Sequence, residues 1–324
     1  MDGDFAKGRV VRYSTLRGIM SFLTGDDFRG YFFRGQSNSA WGLETGITRN
    51  LKRLHNQSLN PLAFENSLLG AFKREFSAHS TSRPDDADLL GWLAVMQHYR
   101  APTRLLDWTM SPFIALYFAI QDLQDDVEGA VWLLNPVAAA TTHLGPLTPT
   151  VWDHLQLWRG IVDDENEIVP NHRSFEELQN FRIRQAMINQ TRWPLPVIPN
   201  WVDQRMLAQQ SVFTLSGDLE FPMERLSFKR EWKLEKLSPE ARTALSDVPT
   251  SQIIHQVLIP GSLKREILVY LHFAGVTPAS LFPGLDGLGQ TISQLHLKVI
   301  PTADWLTGTS HGLPLRYPFP DSSE

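Results

Sequence analysis

Three stretches of this chain concentrate side chains that could do chemistry. The first is Arg34, which follows the aromatic run Tyr31, Phe32 and Phe33 and precedes Gly35. An arginine at the end of an apolar strand needs partners for its planar fork of donors. A bidentate grip on phosphate or carboxylate would satisfy it, and so would a structural ion pair. The second stretch, residues 97–112, gathers Gln97, His98, Thr103, Arg104, Asp107, Trp108, Thr109 and Ser111 between two strongly apolar segments. Loops and strand ends held by rigid elements are where binding residues concentrate. Asp107 can pair with Arg104 or Arg34. Thr109 and Ser111 can donate to a ligand, although Ser111 before Pro112 also reads as a helix cap. His98 can be a proton-transfer group or a satisfied histidine at a helix end, and without metal-ligand neighbours it does not argue for a metal. The third stretch, Gln209, Gln210, Ser211, Val212, Phe213 and Thr214, sets two amides at a strand start. An amide can orient a hydroxyl but is a poor general base.

The elements that must carry these residues can be read from periodicity. Residues 31–33 suit a short buried strand that Gly35 ends, with a small polar loop over 36–42. Asn60 before Pro61 is an N-cap signal, and Leu62, Leu69, Phe72 and Phe76 recur at helical spacing, with Glu65 on the same stripe. Leu89, Trp92, Leu93 and Met96 define a second helix ending near Tyr99. Residues 104–108 suit a short strand. The run 113–120 is apolar all round, as in a helix buried on most sides. Strands are expected at 130–134, 210–215 and 253–259. A helix is expected over 262–273 with Gly275 past its end, residues 203–208 suit a turn or short helix, and a Gly-rich loop and turn is expected over 278–289, followed by a short helix. Residues 9–24 suit a strand or a helix. Residues 135–200 read as a loop-rich insertion, with the acidic run Asp163, Asp164 and Glu165 and an extended segment over 193–199. Strands and helices do not alternate regularly, so a mixed α+β domain is expected rather than a doubly wound parallel sheet. The expected organisation is an N-terminal extension over 1–24 and one domain over 25–324.

Composition narrows the function classes. Of 324 residues 42% are apolar and 20% charged, and 18 Phe and 10 Trp supply large rings for a core or a cleft wall. The absence of cysteine removes disulfides, thiolate metal sites and cysteine nucleophiles together. A net charge of −5 argues against nucleic-acid binding by bulk charge, though a local basic groove stays open. The acidic start, Met1 to Asp4, has no apolar stretch of a signal peptide after it, and no apolar run reaches the about 18 residues of a membrane span. The expectation is a cytoplasmic protein without membrane contact. The phosphate-binding loop, dinucleotide fingerprint, zinc-protease helix and serine-hydrolase elbow motifs are all missing.

Phe33, Arg34, Gly35 and Gln36, then Glu65, then Gln97, His98 and Tyr99 followed by Ala101 to Asp107, Trp108, Thr109, Ser111 and Pro112, then Ala115, Leu116, Tyr117, Phe118 and Ala119, resemble the FRG domain. The segments 209–213 and 281–287 are similar to its C-terminal pattern, so the resemblance covers roughly 25–290. Arg100 and Ser211 depart from it, since glycine is usual at both. A second similarity is to ADP-ribosyltransferases of the Arg–Ser–Glu type. Arg34 resembles their first element, and Thr109 and Ser111 with the helix 115–119 resemble their second. Gln210 stands where their catalytic Glu would fall.

That resemblance implies an α+β fold of mainly antiparallel sheets around a central cleft, with flanking helices. It implies NAD as co-substrate, no metal, and a macromolecular acceptor, protein or nucleic acid. A bacterial toxin or phage-defence effector, with an antitoxin or immunity partner, would fit it. Arg34, Gln210, Thr109 and His98 are the implied catalytic residues. Arg34, Gly35, Gln36, Thr109, Ser111, Tyr99, Trp108 and Tyr117 are the implied NAD contacts. If a base is required, His98, Asp107 or Glu65 must supply it. NAD hydrolysis without transfer, a non-catalytic nucleotide- or partner-binding module, and an RNA-directed activity are the alternatives.

Overall fold

The structure, a computed structural model, describes residues 10–54, 60–80, 83–136, 139, 183–184, 187, 194–199, 203–219 and 254–294. The expected insertion over 135–200, its acidic run and the chain beyond 294 lie largely or wholly outside them. The described part is α+β. Its strands are β1 (Val10–Arg12), β2 (Phe32–Gln36), β3 (Leu105–Thr109), β4 (Gly129–Leu134), β5 (Leu195–Val197), β6 (Ser211–Leu215) and β7 (Ile254–Ile259). They form one seven-stranded sheet in the order β1-β7-β4-β2-β3-β6-β5. Only β1 and β7 pair parallel; every other neighbour is antiparallel. The short edge strands leave little backbone unpaired, and Pro196 is tolerated because β5 is an edge.

The helices whose full span lies among the described residues are α1 (Leu16–Leu23), α2 (Gly46–Leu54), α3 (Pro61–Phe76), α4 (Leu89–His98), α5 (Pro112–Ala119), α6 (Gln204–Ala208), α7 (Lys264–Phe273), α8 (Pro278–Leu281) and α9 (Leu285–Gln294). Their starts follow local chemistry. Asn60 Oδ1 accepts from the Leu62 and Ala63 amides at 3.0 and 3.1 Å. Ser111 Oγ accepts from Ile114 N at 3.4 Å ahead of Pro112, and Asp203 Oδ1 from Met206 N at 2.8 Å. The apolar run of α5 lies on the sheet and is enclosed by Ile19, Leu23, Phe33, Val131, Leu133, Val257 and Ile267. The opposite face packs Phe32, Leu106, Trp108, Trp132 and Leu134 together. A third cluster joins α4 to Leu105, Phe213 and Leu215.

Three expectations are corrected and one element is added. Residues 10–23, read as part of an extension, supply an edge strand and core residues to the same sheet. β2 runs through Gly35 to Gln36, because the partner β4 continues the ladder: Gly35 faces Val131 and Gln36 faces Ala130. Residues 46–54, to which the sequence reading assigns no element, form an amphipathic helix with Ile47 and Thr48 buried and Arg49, Lys52 and Arg53 exposed. Residues 278–294 form two helices rather than a loop and a short one. Thr277 and Ser280 make a capping box and Gly284, at φ 117°, separates them.

Gly35 has a packing role. A β-carbon there would fall 1.8 Å from the Ala115 carbonyl oxygen and 2.6 Å from the Ala119 nitrogen. Both are backbone atoms of α5 and cannot swing aside. Gly35→Ala is therefore expected to force α5 off β2 and lower stability by about 3 kcal/mol or more. A denaturant titration checks this, and a midpoint within error of the parent would refute the packing argument.

Candidate functional site

The centre of the sheet is where regular pairing lapses. β2 pairs along its length with β4, and β3 along its length with β6. Between β2 and β3 only Phe33 and Thr109 face each other in register. Below that point the Arg34 side chain takes over: its Nη1 donates to the Asp107 carbonyl oxygen at 2.6 Å. A cleft of about 420 Å³ occupies this split. Its walls carry Phe33, Arg34 and Gly35 of β2, Asp107, Trp108 and Thr109 of β3, the end of α4, and α6 with the start of β6.

The Arg34 side chain is 19% exposed and its Nη1 lies 3.8 Å from Asp107 Oδ2. That carboxylate is half-exposed, so the ion pair contributes under about 1 kcal/mol. Asp107 Oδ2 also accepts from Gln97 Nε2 at 2.8 Å, and Gln97 Oε1 accepts from Thr103 Oγ1 at 2.6 Å. The buried Arg34 Nε has no hydrogen-bond partner among the described residues. Burial pushes the guanidinium below its ordinary value; Asp107 opposes this and Arg49 adds to it. A guanidinium does not give up its proton in a protein. Its buried charge is therefore better compensated when an anion lies beside it.

Around Arg34 the cleft is cationic, in a chain that is acidic as a whole. Arg49 of α2, Arg100 after α4 and Arg205 of α6 join it on the wall. Among the described residues Asp107 is the one carboxylate there. Arg49 Nη1 donates to the Glu44 carbonyl at 2.6 Å, and the Arg205 guanidinium stands 5.0 Å from the centre of the Phe282 ring. Both retain further donors. Clustered like charges repel, and an anionic ligand removes that repulsion.

His98 also lines the cleft. Its Nδ1 lies 2.7 Å from Asp203 Oδ2. Burial lowers its pKa, Asp203 pulls the other way and Arg205 adds to the lowering. The neutral imidazole is favoured, which suits a proton acceptor. Thr109 Oγ1 donates to the Gln209 carbonyl at 2.8 Å and accepts from Ser111 N at 3.1 Å, so it braces the split while lining it. Trp108 lines the cleft and its Nε1 donates to Thr214 Oγ1 at 2.9 Å.

Other expected site residues lie elsewhere. Gln36 is buried, accepting from Trp132 Nε1 at 2.7 Å and donating to the Gly42 carbonyl at 3.1 Å. Ser111 caps α5. Tyr117 is buried in the α5 core, its hydroxyl 3.4 Å from Gln294 Nε2. Tyr99 is exposed and borders a separate groove between α3 and α4. Glu65 is buried against Arg104 rather than facing the cleft. Gln210 is exposed and holds φ 48°; it gives its carbonyl to Met110 N at 3.1 Å while Gln209 and Ser211 line the wall. Positive φ at Gln210 turns the chain so that its neighbours, not its own amide, face inward. Arg49 and Arg205 are cleft residues that no local signal marks, because each sits on an element whose own pattern is ordinary.

Arg100 closes α4. Its N–H donates to the Gln97 carbonyl at 3.0 Å, and the Ala101 N–H to the Met96 carbonyl at 2.9 Å. This double bond pattern requires a left-handed residue, and Arg100 holds φ 63°. A side chain there costs about 1 kcal/mol or more relative to glycine.

Among the described residues no group of three or more His, Asp or Glu could hold a metal ion, and no helix is long and apolar enough to cross a membrane. The family model of the FRG domain matches residues 29–128, from the turn before β2 to the threshold of β4. That stretch holds both strands of the split and the helices α2 to α5. No curated protein and no solved structure matches the chain.

Proposed function

Because the chain carries an FRG domain whose central strands part around Arg34, we propose that it is an NAD-dependent ADP-ribosyltransferase acting on a macromolecule. The acceptor would be a protein or a nucleic acid. The setting would be a cytoplasmic toxin or anti-phage effector, restrained by an antitoxin or immunity partner. The observation that carries this reading is the half-buried Arg34, whose Nε has no partner among the described residues, in a cleft to which those residues give four arginines and one carboxylate. Such a cleft suits the diphosphate of a dinucleotide, and the part-buried ring of Phe118 on its wall suits a flat base beside it.

In the reaction the bond between ribose C1′ and the nicotinamide nitrogen breaks, and its electron pair leaves with nicotinamide. The acceptor's nucleophile forms the new bond to C1′ and gives its proton to His98 or Asp107. Arg34 holds phosphate charge and fixes the ribose, and Thr109 shapes the adjoining wall. Incubation with NAD labelled on its adenylate half, alongside candidate proteins and RNAs, is expected to release nicotinamide and label a macromolecule. Release with free ADP-ribose alone would make the chain an NAD glycohydrolase. Neither release nor transfer would overturn the enzyme reading.

One observation favours a non-catalytic nucleotide- or partner-binding module. The one carboxylate that the described residues give the cleft already accepts from Gln97, and Gln210 is exposed outside the cleft wall. Saturable NAD binding without turnover would select that reading.

A further inference from the structure

Arg100 occupies a backbone position that disfavours any side chain. Its φ of 63° and the two turn hydrogen bonds need no guanidinium, and glycine would close the turn without strain. The side chain is exposed, lines the Arg34 cleft, and has no ion-pair or hydrogen-bond partner among the described residues. Strain kept at a cleft wall points to a role in the cleft. Arg205 lines the same cleft and leans on the Phe282 ring with donors to spare. Arg34 lies deeper, with its side chain only 19% exposed.

We propose that Arg100 and Arg205 form a second anion-binding position at the cleft mouth, so that the cleft selects ligands with two linked phosphates over those with one. The inner phosphate would sit on Arg34 and the outer one on Arg100. The ligand class is a nucleoside diphosphate or its ester. This rests on the cleft being the ligand site of the proposed function, but it does not depend on any bond being broken there.

The test is calorimetric titration of the full chain with AMP and ADP, for the parent, R100G and R100K. ADP is expected to bind the parent about tenfold more tightly than AMP, as one added charge-assisted contact would give. R100G should lose that preference, keep its AMP affinity within about twofold, and melt about 2 °C higher as the backbone strain is released. R100K should keep most of the preference. Equal binding of the two nucleotides by the parent, or no binding of either, would overturn the proposal; so would an R100G chain that still prefers ADP. A parent that prefers ADP but leaves NAD intact would overturn the transfer reading alone. A parent that splits NAD, with KM unchanged in R100G, would overturn the second anion position alone.

Discussion

Arg34→Ala is expected to lower NAD turnover by about 100- to 1000-fold. Loss of one preorganised donor from the transition state of a charged reaction has an effect of that order, about 2.7–4 kcal/mol. Arg34 is positioned for such a role by two strands at once. β2 holds its backbone in register with Trp132, and the Asp107 carbonyl fixes its Nη1 at 2.6 Å. Arg34 lines the cleft, and its buried Nε has no hydrogen-bond partner among the described residues. Arg34→Lys keeps the charge but offers no planar pair of donors, so it should recover less than about a tenth of the activity. The measurement is nicotinamide release at saturating NAD, with the melting temperature recorded to establish that each variant is folded. Full activity in a folded Arg34→Ala chain would remove Arg34 from the reaction.

Glu65→Ala is expected to have the largest effect on stability, about 3–5 kcal/mol. Glu65 and Arg104 are buried together, with side-chain exposures of 1% and 2%. Arg104 Nε and Nη2 both donate to Glu65 Oε2, the former at 2.7 Å. Arg104 Nη1 donates to the Ser216 and Gly217 carbonyls at 3.0 and 3.2 Å. This one guanidinium therefore ties α3 to the start of β3 and the end of β6. Without Glu65 its charge is buried unpaired, which is worse than having no charge there. The double variant Glu65→Leu with Arg104→Met should accordingly lose less stability than the sum of the two single changes, by about 2 kcal/mol or more in a double-mutant cycle. Additive losses would show that the pair is not coupled. The same geometry takes Glu65 out of contention as the cleft's base, since it reaches Arg104 and not the cleft.

The elements were largely legible in the chain. Asn60, Ser111 and Asp203 cap helices, Gly275 follows α7 at φ 78°, and the run of α5 is buried as its uniform apolarity requires. Each of these depends on groups within about one helical turn of each other, so the signal is local. Glu65 on an apolar stripe was legible as unusual, but nothing near it in sequence named Arg104, 39 residues away, as the reason. The motif of Phe33, Arg34 and Gly35 was legible as a unit. The reason for its glycine was not, because the atoms that exclude a β-carbon belong to α5, some 80 residues on.

From the residues alone came the α+β class, most strands and helices, and the prominence of Arg34 with the segment 97–112. Those follow from backbone preference and hydrophobic period, which act over a few neighbours. The assembled fold chose which of the polar groups meet. It parted β2 from β3 after a single paired position, and it brought Arg49, Arg100 and Arg205 to Arg34 from three separate elements. It sent Gln36 and Tyr117 into the interior and turned Gln210 outward. Strand register and long-range packing set the first of these outcomes, and the left-handed turn at Gln210, just before β6, sets the last.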